Sequence, residues 1–209
     1  MEGTDQAGRR DRFPDGTVAR LAGCARDRTA GCGSTVVVAV DGPSGSGKTT
    51  LGRQLAATLG ATLVHMDDLY QGWDGLAESP HLLEQHLLGP LSRGERAAYR
   101  RFDWDRGEPA GWRAVSPTAF LVVEGVGAGA RPAGQHVSLL VWLEADRRVR
   151  RARGLERDGD AYTPHWERWA AQERELFARD RTRERADVVI DTTTDDAQVE
   201  WRSGPARPS

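Results

Sequence analysis

Charge of one sign is what this 209-residue chain most plainly lacks. Its 29 Lys plus Arg stand against 31 Asp plus Glu, a formal net charge of −2. Such a balance leaves no electrostatic case for nucleic acid as the main partner. Cysteine is scarce as well: Cys24 and Cys32 are alone, with no metal-ligand cluster around them. Reduced thiols in a cytoplasmic protein are therefore expected. No apolar run approaches the length of a membrane span, and the opening MEGTDQAGRRDRF has no apolar core of a signal peptide, so no membrane partner is expected. An internal repeat is missing too. The length suits one domain, with room for a sizeable core and a small lid.

What is present is concentrated between Val36 and Leu59. An apolar, β-branched run (Val36, Val37, Val38, Ala39, Val40) breaks into a loop holding Gly42, Pro43, Gly45 and Gly47. Beyond it Leu51, Leu55 and Leu59 recur every four residues, one face of a helix, and Gly60 stands where a left-handed C-terminal cap belongs. Strand, glycine-rich loop and helix are the context required by the phosphate-loop pattern G-x-x-x-x-G-K-[ST], which Gly42 to Thr49 fills. The chemistry explains the spacing. A polyphosphate needs several N–H donors pointing inward at once, so the loop must curl tightly without side chains in the way. The new helix adds the positive end of its dipole. Gly42, Pro43, Ser44, Gly45, Ser46, Gly47, Lys48, Thr49 and Thr50 are thus the candidate nucleotide-binding residues for ATP or GTP. Lys48 reaches the β- and γ-phosphates, and the Thr49 hydroxyl is a Mg²⁺ ligand.

The remaining pattern predicts an α/β fold, a doubly wound parallel sheet of about five strands with flanking helices. Residues 1–17 read as a loose segment, 18–195 as a single domain, and 196–209 as a flexible polar tail. Within the domain, a weak helix is expected over Val18–Arg28 and further strands over Ala61–Met66, Phe120–Glu124, Val137–Leu143 and Ala186–Ile190. Ser79-Pro80 opens a helix with Leu82, Leu83, Leu87 and Leu88 inward. His81 and His86, five apart, read as surface residues and not as paired ligands. Asp67–Gly75 and Arg93–Trp112 have no clean period and read as loops or short strands with a functional role. Asp146 caps a very basic helix, and Thr163-Pro164 starts another containing Trp166, Trp169, Leu176 and Phe177.

Ligands of such sheets bind beyond the carboxyl ends of the strands, and Asp41-Gly42, Asp67 and Glu124 all stand there. Phosphoryl transfer needs the γ-phosphate held, its charge offset and an acceptor oxygen placed in line. Asp67 is the candidate general base, with Asp68 its rival; Glu124 suits a metal contact. Arg147, Arg148, Arg150, Arg151, Arg153 and Arg157 crowd one segment. They suggest an arginine-rich lid over about 146–163, hinged at Gly154 and Gly159, with Arg153 and Arg157 as the phosphate contacts. Tyr70, Trp73, Tyr99, Arg100, Arg101, Asp103 and Trp104 are the candidate acceptor pocket, aromatics for a flat ring and charges for sugar hydroxyls.

In the order VDGPSGSGKTT, MDDLY, VVEGV and an arginine-rich segment, the chain resembles the uridine kinase and phosphoribulokinase group of phosphate-loop kinases, over roughly Val36 to Ile190. The resemblance implies that Asp67 and Tyr70 supply the base and part of the nucleoside site, that Glu124 helps with Mg²⁺, and that lid arginines meet the phosphates. One departure concerns the acceptor: YRRFDW stands where the family carries Tyr-Asp-Phe with a following His. DGPSGSGK is also similar to the loop of cytidylate kinases. The expected function is an ATP- and Mg²⁺-dependent kinase acting on a hydroxyl of a nucleoside or nucleoside-like small molecule. The alternatives are a nucleoside monophosphate kinase with Arg100 and Arg101 on the acceptor phosphate, a phosphotransferase modifying a nucleoside antibiotic, and a non-catalytic nucleotide switch. A homo-oligomer is compatible with all of them.

Overall fold

Strand β1 (Val36–Asp41) is buried along its whole length and carries the rest of the sheet on both sides. The computed structural model describes residues 13–158 and 163–202, and side chains for all of these except Arg157 and Asp158. The six-stranded sheet has the order β2 (Thr62–His65), β5 (Phe120–Glu124), β1, β6 (Leu139–Glu144), β7 (Val188–Asp191), β8 (Gln198–Trp201). All neighbours are parallel except β8 on β7. A strand buried on both faces must offer apolar side chains to each in turn. Val37 and Ala39 accordingly enter one layer with Leu83, Leu87 and Leu176. Val38 and Val40 enter the other, with Leu21, Leu51 and Leu55.

The flanking helices follow the predicted periods closely: α1 is Thr17–Arg26 and α2 is Lys48–Leu59, ended by Gly60 at φ 64°. Helix α3 (Ser79–Leu83) widens into a π-turn over Glu84–Leu88 before α4 (Gly89–Ser92). Pro90 accounts for the widening, because its ring clashes with a carbonyl one turn back and it has no N–H to donate. Helix α5 (Arg147–Asp158) follows β6, and its N-terminal Arg148 N–H donates to Asp146 Oδ1 at 2.7 Å. Helix α6 (Trp166–Asp180) and the short α7 (Thr182–Arg185) lead into β7.

One expectation is sharpened and one corrected. In Arg93–Trp112, read as loops or short strands, β3 (Ala97–Asp103) and β4 (Glu108–Val115) form an antiparallel hairpin. Its alternation, with Ala97 and Tyr99 in against Ala98 and Arg100 out, hides among polar residues. The expected tail from 196 instead begins with β8, whose Val199 and Trp201 cover the apolar layer while Arg20 lies 3.9 Å over the Trp201 ring.

Candidate nucleotide and acceptor site

At the carboxyl end of β1 the chain turns on Gly42, Gly45 and Gly47, all with positive φ (135°, 80° and 100°). A methyl group on Gly42 would lie 1.9 Å from the Leu143 carbonyl oxygen, and one on Gly45 would lie 2.3 Å from that of Arg150. The loop is thus pressed against β6 and α5, and only glycine fits both backbone and space. Asp41, fully buried, anchors the turn: Oδ1 accepts from Gly42 N at 2.6 Å and Gly127 N at 2.8 Å, and Oδ2 from Gly129 N at 2.9 Å. Burial pushes its carboxyl up to about 6, against the pull of those three amides.

Lys48, the only lysine in the chain, opens α2 and folds its Nζ back onto the Pro43 carbonyl at 3.0 Å. Burial lowers its pKa, while Glu173, Glu124, Asp41 and Asp67 favour the charged form. Ser46 Oγ is buried with no hydrogen-bond partner among the described residues. Thr49 Oγ1 donates to the Glu124 carboxylate, 3.1 Å from Oε1 and 3.2 Å from Oε2, and Glu124 is only 3% exposed. Hydroxyl and carboxylate oxygens at the foot of a phosphate loop suit Mg²⁺, which takes one or two protein oxygens and completes its shell with phosphate and water. No cluster of His, Cys, Asp and Glu able to hold a metal unaided occurs among the described residues.

His65, which carried no sequence signal, donates from Nδ1 to Glu124 Oε1 across 2.5 Å. Its proximity follows from register, since His65 pairs with Glu124 in the β2–β5 ladder. The Glu124 carboxylate raises the His65 pKa. Just beyond, the 3₁₀ turn Met66–Asp68 separates the two rival carboxylates. Asp67 is exposed towards the crevice, and its charge is felt at Lys48 and His65. Asp68 is instead held by Arg101 Nε at 3.2 Å and Tyr99 OH at 3.3 Å.

The expected acceptor residues divide. Trp73 and Trp104 meet edge-on at 4.9 Å, and His165 stacks on Trp73 at 4.3 Å with 10° between the planes. Trp104 also donates from Nε1 to the Asp67 carbonyl at 3.0 Å, which brings this aromatic group to the candidate base. Tyr70 is buried: it is 1% exposed and donates to the Val126 carbonyl at 2.9 Å. Tyr99 is buried, its hydroxyl pushed up to about 12 chiefly by that burial. Asp103 caps the hairpin turn, accepting from Asp105 N and Arg106 N at 3.1 and 3.0 Å. Arg100 crosses the hairpin to the carbonyls of Ala110 at 3.0 Å and Pro109 at 3.4 Å. A cavity of about 210 Å³ opens beside Asp68, floored by Leu69 and Leu82 and walled by Arg101, Phe102 and Trp112. A larger one, about 720 Å³, between Phe13, Arg20 and Trp201 shares no residue with the loop, Asp67 or Glu124.

The arginine-rich segment forms α5, which is docked on the phosphate loop, and Gly154 lies inside the helix. Arg153 bonds the Thr192 carbonyl at 2.7 Å, Thr192 Oγ1 at 3.0 Å and the Gly45 carbonyl at 3.5 Å. Arg150 Nη1 donates to the Ser44 carbonyl at 3.1 Å. The Arg157 side chain and Gly159 lie outside the described residues. Glu173 on α6, missed in the sequence, accepts from Ser44 N at 2.7 Å. The signal existed: Trp166, Trp169, Glu173 and Leu176 share the helical spacing of a buried face, and all four are buried.

The cytidylate kinase family profile matches residues 38–77, the loop and the β2 strand end. No curated protein sequence matches the chain. Among solved structures, a possible uridine kinase from Bacillus stearothermophilus aligns with TM-score 0.58 at 22% identity, over 82% of this chain and 96% of that one. A protein assigned as a fructose transport system kinase from Silicibacter sp. TM1040 aligns with TM-score 0.53 at 25% identity, over 81% and 95%. The YGR205w protein aligns with TM-score 0.52 at 11% identity, over 81% and 91%. The chain has the α/β fold of phosphate-loop kinases.

Proposed function

We propose that this protein, with the fold of phosphate-loop kinases, transfers the γ-phosphate of ATP to a hydroxyl of a nucleoside or nucleoside-like small molecule. One observation supports the reading: three strand ends carry Lys48, the Thr49–Glu124 pair and Asp67, whose charge acts on Lys48. The loop amides from Gly45 to Thr50 cradle the phosphates, and Lys48 leaves the Pro43 carbonyl to meet the γ-phosphate. Thr49 and Glu124 would hold Mg²⁺, whose charge would offset that of the phosphate oxygens. Asp67 accepts the proton of the acceptor hydroxyl as its oxygen bonds to phosphorus and ADP departs. Trp73 and Trp104 supply aromatic surface for the acceptor ring, and Arg150 with Arg153 braces the loop through the Ser44 and Gly45 carbonyls.

The cytidylate kinase match over 38–77 favours a second reading, transfer to a nucleoside monophosphate. Against it, both arginines that would hold the acceptor phosphate are committed elsewhere, Arg100 to hairpin carbonyls and Arg101 to Asp68. An incoming phosphate would meet the Asp68 carboxylate. The test is a panel of nucleosides, nucleoside monophosphates and nucleoside antibiotics with γ-labelled ATP. Label on an uncharged acceptor is the expected result. Label on monophosphates alone would favour the second reading, and ATP binding without transfer to any acceptor would favour a switch.

A further inference from the structure

Ser44 is gripped on three atoms by three side chains. Its N–H donates to Glu173 Oε1 at 2.7 Å, its carbonyl accepts from Arg150 Nη1 at 3.1 Å, and its Oγ accepts from Trp169 Nε1 at 3.0 Å. The grip closes on itself, because Arg150 Nη1 lies 3.7 Å from Glu173 Oε2. Arg150 is fixed further by the Ala145 carbonyl at 3.1 Å from Nε. Both charges are deeply set, with side-chain exposures of 12% and 4%.

A carboxylate here is an expensive choice. Taking an ion out of water is costly, and this one lies against the glycine loop. Its charge reaches Lys48, where it is the strongest of the favourable carboxylates. Left bare, Glu173 would repel a triphosphate through a poorly screened interior. Paired with Arg150 it repels little, and it holds both the loop backbone and the guanidinium. We propose that Glu173 is a positioning residue of the phosphate loop: with Arg150 it forms a neutralised clamp on Ser44 that keeps the loop open to a triphosphate. The proposal rests on the nucleotide-binding reading above.

A clamp makes a prediction that separate contacts do not. Arg150→Ala removes a cation and also strands the buried carboxylate beside the loop, so it is the worst variant. Removing Glu173 as well relieves that repulsion. Titration calorimetry of wild type, Glu173→Gln, Arg150→Ala and the double variant Arg150→Ala/Glu173→Gln is the test, with MgATP and with inorganic tripolyphosphate, which touches the loop alone. Glu173→Gln keeps an oxygen for the Ser44 N–H and is expected to weaken binding about tenfold, Arg150→Ala about 30-fold or more, and the double variant to bind at least about fivefold better than Arg150→Ala. If Arg150→Ala does not fold by circular dichroism, Arg150→Gln replaces it in both variants. A double variant no tighter than the Arg150 single variant overturns the clamp, as does a Glu173→Gln protein that binds like wild type. Wild type that binds no MgATP would instead overturn the nucleotide reading itself.

Discussion

Asp67 and Asp68 stand side by side in sequence and face different tasks. The 3₁₀ turn that carries them points Asp68 at Arg101 and Tyr99 and leaves Asp67 exposed to the crevice. Asp67→Asn keeps the shape and removes the proposed base, so turnover is expected to fall by about 10²–10⁴ with MgATP affinity nearly unchanged, read by steady-state kinetics beside calorimetry. Asp68→Asn loosens the hairpin at Arg101 and should affect the acceptor KM more than turnover.

Asp41 makes a prediction about pH. In the folded protein it holds its proton to about 6, against 3.8 for the ordinary carboxyl. A raised carboxyl pKa means that the folded state binds the proton more tightly than the unfolded chain, so this residue's contribution to stability falls as pH rises. Urea unfolding of wild type and Asp41→Asn should show the wild-type advantage shrinking as pH climbs from 3.8 to about 6, then levelling. An advantage that grows across that window would contradict the assignment.

Among the elements, the loop and the arginine helix act as one unit. Gly45 sits at φ 80° with the Arg150 backbone against it. Gly45→Ala is expected to cost about 1–2 kcal/mol from the left-handed backbone alone, and more from the clash. Chemical denaturation reads the loss, and loss of MgATP binding should accompany it because α5 must move.

The loop was legible from sequence because its glycines, lysine and flanking periods are all local signals, as is the Gly60 cap. The hairpin at Ala97–Val115 was not, since its pairing is set by a partner strand and its polar faces hide the alternation. The same limit explains His65, which meets Glu124 only through the register of β2 on β5. The bond from the Tyr70 hydroxyl to the Val126 carbonyl was not legible either, because its partner lies 56 residues away.

At the scale of the whole molecule, a twisted parallel sheet collects short-range signals into one crevice. The order β2-β5-β1-β6-β7-β8 puts β1 between two strands that end beside it, so Glu124 from β5 lies against Thr49 while the Gly42 turn packs on Leu143 of β6. Helix α6 ties the far sides together, holding Ser44 through Trp169 and Glu173 and the Trp73 carbonyl through Gln172 at 2.7 Å. The fold therefore sets the phosphate loop and the Trp73 segment relative to each other through one helix.

The central claim is that this glycine loop grips a triphosphate through its amides and Lys48. Calorimetric titration of MgATP into wild type and Lys48→Ala tests it most directly, because no second lysine exists to take the missing charge's place. Wild type should bind with one site per chain, and the variant, folded by circular dichroism, should bind at least about tenfold more weakly. No heat of binding in wild type, or equal affinity in the two proteins, would contradict the account.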